Sequence, residues 1–463
     1  MSAVLTSLSN SSYESLVMLI ESISGVRGTV PDSLNGEIVA LYADAFHRFC
    51  SEGDIVVGRD SRSSGEEFLS VIVQRLIALG RNVHHCGIVP TPTVQYVVDD
   101  SEVVGGIIVT ASHNPAEWNG LKFVGSDGCF LNGSQVKKLM QLKSGDSPEP
   151  VDGKGKQVRM DDAIQRHIAR ICDVSWIDLE TIRQRKFKVA VDAVNGAAAV
   201  ALPELIKRLG CDVVSINCEP SGEFTRGTEP LPVNLSDLSQ LVQQENCHVG
   251  FATDPDADRL AVIDEKGKPV GEEYTLVLAL DGFLSIFGSS EMVVTNLSTT
   301  LAVDKIAERY GAQVTRSAVG EINVVEMMKK TGASMGGEGN GGVILEEVHL
   351  GRDSLVAAAS ILHRLAQTDS SLSEVMNELP KFEIVKAKIS VEKVNGESLF
   401  QKISDSFDGA LKDERDGLKL TWNDRWIHIR RSNTEPIMRI YTEASTEKEA
   451  LELFEKVKLI IQS

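Results

Sequence analysis

The chain has 463 residues, 42% of them hydrophobic, and a formal net charge of −19, with core material for about three or four domains of ordinary size. That acidity argues against nucleic acid and anionic membrane surfaces as partners, since both need a basic face. It leaves room for a small anionic substrate held by a few local cations. Seven scattered cysteines without a C-x-x-C pair predict reduced thiols rather than a disulfide framework or a zinc site. The first residues, MSAVLTSLSNSSYESLVMLIES, show neither a basic leader nor a long apolar run. No stretch approaches the roughly 18 apolar residues of a membrane span, so a cytoplasmic location is expected.

In chain order, the first notable residue is Arg27, set between Gly25 and Gly28. Glycines there would let the backbone approach a ligand, although a solvated arginine is the commoner fate. A unit then appears three times. Ile55-Val56-Val57 runs into Gly58-Arg59-Asp60-Ser61, a helical pattern (FLSVIVQRLIAL), Gly80 and a strand at Val83. Val189-Ala190-Val191 turns at Asp192 to Gly196, passes through LPELIKRL and reaches Gly210 and Val213. Val293-Val294 turns at Thr295-Asn296-Leu297-Ser298, passes through LAVDKIAERY and reaches Gly311 and Val314. Strand, helix, strand in this order predicts parallel pairing by right-handed crossover, and glycine suits the left-handed position after a helix.

Each unit closes with a further strand and a distinctive loop. The first closes with Gly105-Gly106-Ile107-Ile108-Val109 into TASHNPAEWNGLKF, at residues 110–123. Ser112 is the candidate nucleophile, expected exposed at the apex of a loop that ends a strand, where chemistry is usually sited in α/β sheets. A plain Ser/Asn-Pro turn is the competing reading. The second closes with Val249 to Ala252 into Thr253-Asp254-Pro255-Asp256-Ala257-Asp258-Arg259. Carboxylates at i, i+2 and i+4 of an extended segment share one side, and three together call for a hard divalent cation such as Mg²⁺. An EF-hand is disfavoured because Arg259 stands where that loop needs glycine. A solvated acidic turn is the other alternative, and Arg259 suits a phosphate better than a calcium loop.

The third closes with Ala333-Ser334-Met335 into a glycine-rich stretch, residues 336–342, around Glu338 and Asn340. It lacks the Lys-Ser/Thr ending of a P-loop. A carboxylate on a flexible glycine loop suits sugar hydroxyls better than a nucleotide. Polar or Pro/Gly-rich stretches at residues 144–155, 265–269 and 379–381 mark boundaries. They divide the chain into α/β domains at 1–150, 151–266 and 267–380. The remainder, 381–463, alternates apolar and polar residues (KFEIVKAKISVEKV, LKLTWNDRWIHIRR, IMRIYTEA) before a helical tail, which predicts an α+β domain with an antiparallel sheet. Its Arg430-Arg431-Ser432-Asn433-Thr434-Glu435-Pro436 loop offers guanidinium, hydroxyl, amide and backbone donors to a phosphate, or is an ordinary turn stopped by proline.

TASHNP, DPDADR, GEGNG and R-x-SNTEP, in this order and across essentially the whole chain, resemble the α-D-phosphohexomutase family of phosphoglucomutases, phosphomannomutases and phosphoglucosamine mutases. The resemblance implies an α/β four-domain heart, three related mixed-sheet units and a C-terminal α+β domain. It implies that Ser112 carries the phosphoryl group, that Asp254, Asp256 and Asp258 with Ser112 bind one Mg²⁺ per chain, and that Arg259 lies near the phosphoserine. Arg27, His113 and Lys122 would line the reacting end, Glu338 and Asn340 would meet the sugar, and Arg430, Ser432, Asn433 and Thr434 would hold the non-reacting phosphate. A sugar bisphosphate would be both intermediate and activator, and the partner a small phosphosugar, with the chain a monomer or homodimer.

Members with a GEMSGH loop have histidine where this chain has Gly342, which leaves Lys122 or His113 as candidate acid/base. The GEGNGG form favours phosphoglucosamine mutase, with phosphoglucomutase/phosphomannomutase as the alternative. A phosphatase-like hydrolase and a silent sugar-phosphate-binding protein are the readings from other classes.

Overall fold

The computed structural model describes residues 19–151, 155–390, 396–431 and 437–462. The short β-branched runs become buried strands, because branched side chains pack well on a pleated surface covered by helices on both faces. The first sheet contains β1 (Ile20–Ser22), β2 (Gly25–Thr29), β3 (Ile55–Arg59), β4 (Val83–Ile88), β5 (Gly105–Val109), β6 (Trp118–Gly125) and β7 (Gln157–Arg159), ordered β1-β2-β6-β5-β3-β4-β7. The second contains β8 (Lys188–Asp192), β9 (Asp212–Ile216), β10 (Val249–Thr253) and β11 (Leu260–Asp264), ordered β11-β10-β8-β9. The third contains β12 (Met292–Asn296), β13 (Gln313–Ser317), β14 (Met335–Glu338) and β15 (Gly342–Leu345), ordered β13-β12-β14-β15.

One four-strand motif underlies all three. In each, the first strand runs parallel to the second and third, and the fourth returns antiparallel on the third: β3, β4, β5, β6; β8, β9, β10, β11; β12, β13, β14, β15. The three loops carrying Ser112, the aspartates and Asn340 are thus the same connection, from third strand to fourth. Gly80, Gly210 and Gly311, after the corresponding helices, all have φ between 75° and 87°, the left-handed turn the repeat predicts.

The fourth sheet, β16 (Glu383–Ser390), β17 (Leu411–Asp413), β18 (Leu418–Thr421), β19 (Trp426–Arg431) and β20 (Ile437–Ala444), is antiparallel throughout in the order β16-β20-β19-β18-β17. Leu418, Leu420, Ile427, Ile429, Met438 and Ile440 form its core with Ile403 and Val457 of its helices. It docks on the third unit through polar contacts that are buried or half-buried. Glu443 accepts from Leu301 N at 2.8 Å, Asp416 accepts from Val319 N at 2.9 Å, and Ser298 Oγ lies 2.8 Å from His428 Nδ1.

The second and third units share one continuous core, in which the helix Glu272–Phe287 packs on Ser354–Ala366. A buried polar joint adds the first unit. Asp353 Oδ2 lies 2.8 Å from His167 Nε2 and 3.2 Å from His349 Nε2, and His167 Nδ1 lies 3.0 Å from Thr93 Oγ1. Asp353 Oδ1 meanwhile caps the Ser354–Ala366 helix through Leu355 N and Val356 N. Burial alone would push this carboxyl up, but His167 and His349 hold it below the usual carboxylate range. The facing atoms of the joint satisfy one another, which is a hydrogen-bonded brace rather than an open ligand set. Among the described residues no helix is long and apolar enough to cross a membrane.

Replacing Asp353 with alanine leaves two buried imidazoles without an acceptor and a helix without its cap, so the thermal midpoint should fall by several degrees, as scanning calorimetry would show. Asp353→Asn, whose single amide oxygen can keep the helix cap while its NH2 group faces the imidazoles, should recover only the capping part of that loss.

Candidate active site

Ser112 follows β5 and is buried, not exposed at an apex; its φ is +52°. A non-glycine residue holds that conformation only where its surroundings impose it. Here they do. Ser112 N donates to Thr110 Oγ1 at 2.9 Å, and Thr110 Oγ1 donates to Asp60 Oδ2 at 2.6 Å. Asp60 pairs with Arg62 Nε at 3.0 Å, and the fully buried Arg62 guanidinium donates to the carbonyls of Ser112 (2.6 Å), Asn114 (2.7 Å), Trp118 (3.0 Å) and Pro115. One side chain therefore collects the backbone of the whole Ser112 loop. Arg27, on β2 opposite Gly120, donates to Asn114 Oδ1 at 3.1 Å.

The acidic triplet is a turn rather than an extended segment. Asp254 O accepts from Ala257 N at 3.1 Å, and Ala257 has φ +61°. Turning, not strand alternation, brings the carboxylates together, with one ligand atom of each within 4.8 Å of the other two. All three residues are buried, and Asp254 Oδ2, Asp256 Oδ1 and Asp258 Oδ1 have no hydrogen-bond partner. Orphaned buried carboxylate oxygens are costly, and a hard oxygen-seeking cation is the group that fits this donor set. The other oxygens are engaged: Asp256 Oδ2 accepts from Lys122 Nζ at 2.6 Å and Thr91 Oγ1 at 2.9 Å, and Asp258 Oδ2 accepts from Arg352 Nη2 at 2.7 Å. Burial and the neighbouring Asp258 and Asp256 charges push the Asp254 carboxyl well up. Burial does the same to Asp258, but Arg352, Lys122 and Arg259 hold it far below the usual range.

The cations follow the same logic. Burial disfavours charge on Lys122, yet Asp256 and Asp258 raise its pKa, so it is an ammonium at neutral pH. His113 is the reverse: burial, with Arg259 and Arg27 nearby, lowers it to about 3 and keeps its imidazole neutral. Its Nδ1 lies 3.4 Å from Ser112 Oγ and its Nε2 lies 4.0 Å from Glu229. Glu229 in turn pairs with Arg259 Nη1 at 3.0 Å, and Arg259 Nε lies 3.8 Å from Asp254 and 3.7 Å from Asp258. His113, Glu229 and Arg259 thus lie in succession between the Ser112 hydroxyl and the triplet.

Glu338 ends β14 and is buried, so residues 336–338 are strand and the turn is reduced to 339–341. Its carboxylate is not free on a flexible loop. Oε1 accepts from Asn296 Nδ2 (2.7 Å) and Gly320 N (3.0 Å), and Oε2 accepts from Arg352 Nη1 (2.8 Å) and more distantly from Asn340 Nδ2 (3.5 Å). Asn340 Oδ1 also accepts from Gly342 N at 3.2 Å. In the fourth domain Arg430, on β19, sits 2.8 Å from Asp416, away from the contacts that join the other three loops. Ser432, Asn433 and Thr434 lie outside the described residues.

Asp60, Arg62, Glu229 and Arg352 were not singled out from the sequence. A signal existed for the first: Asp60, Asp192 and Asn296 stand where the first strand of each repeat ends, and each accepts from the backbone N two residues on. Each braces its own unit, Asp60 through Thr110, Asn296 through Glu338, and Asp192 through Arg226, which donates to Thr253 O at 2.8 Å. Arg62→Met should release the Ser112 loop and lower kcat about a hundredfold, with KM for the sugar phosphate changed less than about threefold. Steady-state kinetics on enzyme of confirmed thermal stability would measure both.

Comparison with known proteins accords with this geometry. Four family models match in succession: phosphoglucomutase/phosphomannomutase alpha/beta/alpha domain I at residues 20–147, domain II at 165–267, domain III at 271–382, and the C-terminal domain at 389–460. A Thermococcus kodakarensis protein named phosphoglucomutase/phosphomannomutase is 35% identical, the match covering 93% of this chain and 96% of that one. A Sulfurisphaera tokodaii phosphoglucosamine/phosphogalactosamine mutase is 30% identical over 95% and 98%. The crystal structure of a Burkholderia thailandensis phosphoglucomutase/phosphomannomutase family protein superposes with a TM-score of 0.84 at 26% identity, covering 96% and 98% of the two chains. With the three repeat loops drawn into one buried cluster and all four domain models matched in order, the chain belongs to the α-D-phosphohexomutase family and is an isomerase that moves a phosphoryl group within a sugar phosphate.

Proposed function

We propose that the chain converts glucosamine-6-phosphate to glucosamine-1-phosphate through a phosphorylated Ser112 and a sugar bisphosphate. The phosphoryl transfer rests on the single cluster formed by the Ser112 loop, the aspartate turn and the Glu338 hairpin, tied together by Lys122, Arg259 and Arg352, and the choice of glucosamine rests on the GEGNGG form of that hairpin. Mg²⁺, held by Asp254, Asp256 and Asp258 with an oxygen from residue 112, would neutralise charge on the transferring phosphoryl group.

The residues supply the rest. In the first transfer the bond from phosphorus to Ser112 Oγ breaks and a bond to a sugar hydroxyl oxygen forms, the hydroxyl proton passing to a base. In the second the bond from the sugar's other phosphorus to its sugar oxygen breaks as a bond to Oγ forms, the serine proton leaving and the freed sugar oxygen taking up a proton. Lys122 and Arg259 offer fixed positive charge to the phosphoryl oxygens, and a phosphoryl group on Ser112 would compete with Glu229 for Arg259. His113 lies beside Oγ as a neutral imidazole, and a pKa lowered to about 3 makes it a weak acceptor for the serine proton. Glu338 and Asn340 would orient the sugar. Arg430, with Ser432, Asn433 and Thr434, would hold the idle phosphate in both orientations, and closure of the fourth domain would exclude water.

Phosphoglucomutase/phosphomannomutase activity is the second reading, favoured by the name of the Thermococcus relative. Turnover of glucosamine-6-phosphate, glucose-1-phosphate and mannose-1-phosphate, each with a trace of bisphosphate, should be fastest with the first. A glucosamine rate far below the others would reverse the ordering, and steady phosphate release in place of isomerisation would indicate a hydrolase. Chelation of divalent cations and Ser112→Ala should each abolish isomerisation.

A further inference from the structure

Arg352 lies between β15 and the Ser354–Ala366 helix, and its guanidinium meets carboxylates from three separate segments. Nη2 is 2.7 Å from Asp258 of the aspartate turn, Nη1 is 2.8 Å from Glu338 of the sugar hairpin, and Nε is 3.1 Å from Glu321. Glu321 also accepts from the Arg352 backbone N at 3.2 Å, and the next residue, Asp353, is fixed by His167 and His349. The head group is therefore pinned from in front and its backbone from behind. A planar fork holds its carboxylates in a fixed plane, whereas an ammonium's donors rotate freely about its stem.

The stem of Arg352 accounts for a glycine. Gly342 opens β15 directly opposite Glu338. A Cβ there would come 2.2 Å from Arg352 Cδ and 2.8 Å from Cγ, the middle of the side chain rather than its free end. The backbone at 342 is not among the positive-φ glycines, so its conformation does not require glycine. The space taken by Arg352 does. The position where related loops carry histidine is, in this chain, filled from the side by an arginine.

We propose that Arg352 is the positioning residue that sets the Glu338 carboxylate relative to the aspartate turn, and that Gly342 is glycine in order to admit it. Two donors fix Glu338 Oε1. Arg352 fixes Oε2, and with it the plane of the carboxylate that the sugar meets. The same guanidinium ties that plane to Asp258, so sugar grip and metal turn move as one body. This inference rests on the proposal that Glu338 faces the sugar.

The test is a double-mutant cycle with Arg352→Met and Gly342→Ala, with Arg352→Lys as a third variant. Arg352→Met deletes the clamp, whereas Gly342→Ala displaces it and keeps its charge. Each single variant should raise KM for the preferred hexose phosphate at least about tenfold, with a smaller fall in kcat. The double variant should be no worse than Arg352→Met alone, because the clamp is already gone and a flexible Met side chain with no anchored head group can move aside from the methyl group. Arg352→Lys should recover little. Additive losses, wild-type kinetics in Gly342→Ala, or lower thermal midpoints with unchanged KM would each overturn the clamp while leaving mutase activity standing. A wild-type enzyme that isomerises none of the three sugar phosphates would overturn the functional proposal, and this inference with it.

Discussion

Three aspartates buried in one turn are the constraint on which the rest depends. Removing carboxylates from water is expensive unless charge of the opposite sign and hydrogen bonds replace the lost hydration. Asp254, Asp256 and Asp258 keep three oxygens without partners, and the molecule surrounds them with Lys122, Arg259 and Arg352, drawn from three different units of the repeat. The domains cannot be rearranged without leaving these charges uncompensated. A chain of net charge −19 thereby gathers three cations at one place, where they offset part of the negative charge of the buried carboxylates.

The repeated topology explains why chemistry gathers there. The same third-to-fourth-strand connection occurs in all three units, so placing the units around a common joint brings three unlike loops together. That joint is polar as well as apolar. The shared core of the second and third units sets their relation, and Thr93, His167, His349 and Asp353 bring in the first. Asp353 then fixes the backbone beside Arg352, so a brace remote from the chemistry reaches it in one residue.

The threefold unit was legible in the sequence because strand–helix–strand order and helix-end glycines are local properties, and the antiparallel fourth domain because alternation is too. Ser112 and the aspartates stood out as unusual residues at strand ends. What was misread depended on the third dimension. An i, i+2, i+4 triplet suggests alternation, but Ala257 at positive φ turns the segment instead. A serine in a loop suggests exposure, but the carbonyls gathered by Arg62 fold that loop inward. Glu338 among glycines suggests freedom, but β14 and β15 pair through Glu338 and Gly342 and leave only residues 339–341 to turn. Arg62 and Arg352 were silent in the sequence because their fate depends on partners such as the Ser112 carbonyl, Glu338 and Asp258, which lie 50, 14 and 94 residues away.

The central claim, that one hydroxyl exchanges phosphoryl groups under the control of the aspartate turn, is tested most directly by mass spectrometry of the intact chain after incubation with a hexose 1,6-bisphosphate. The account predicts one added phosphoryl group, mapped to Ser112, formed only with a divalent cation present and lost when Asp256 is replaced by asparagine. Phosphate on another residue, or full occupancy of Ser112 in the chelated or Asp256→Asn protein, would contradict it.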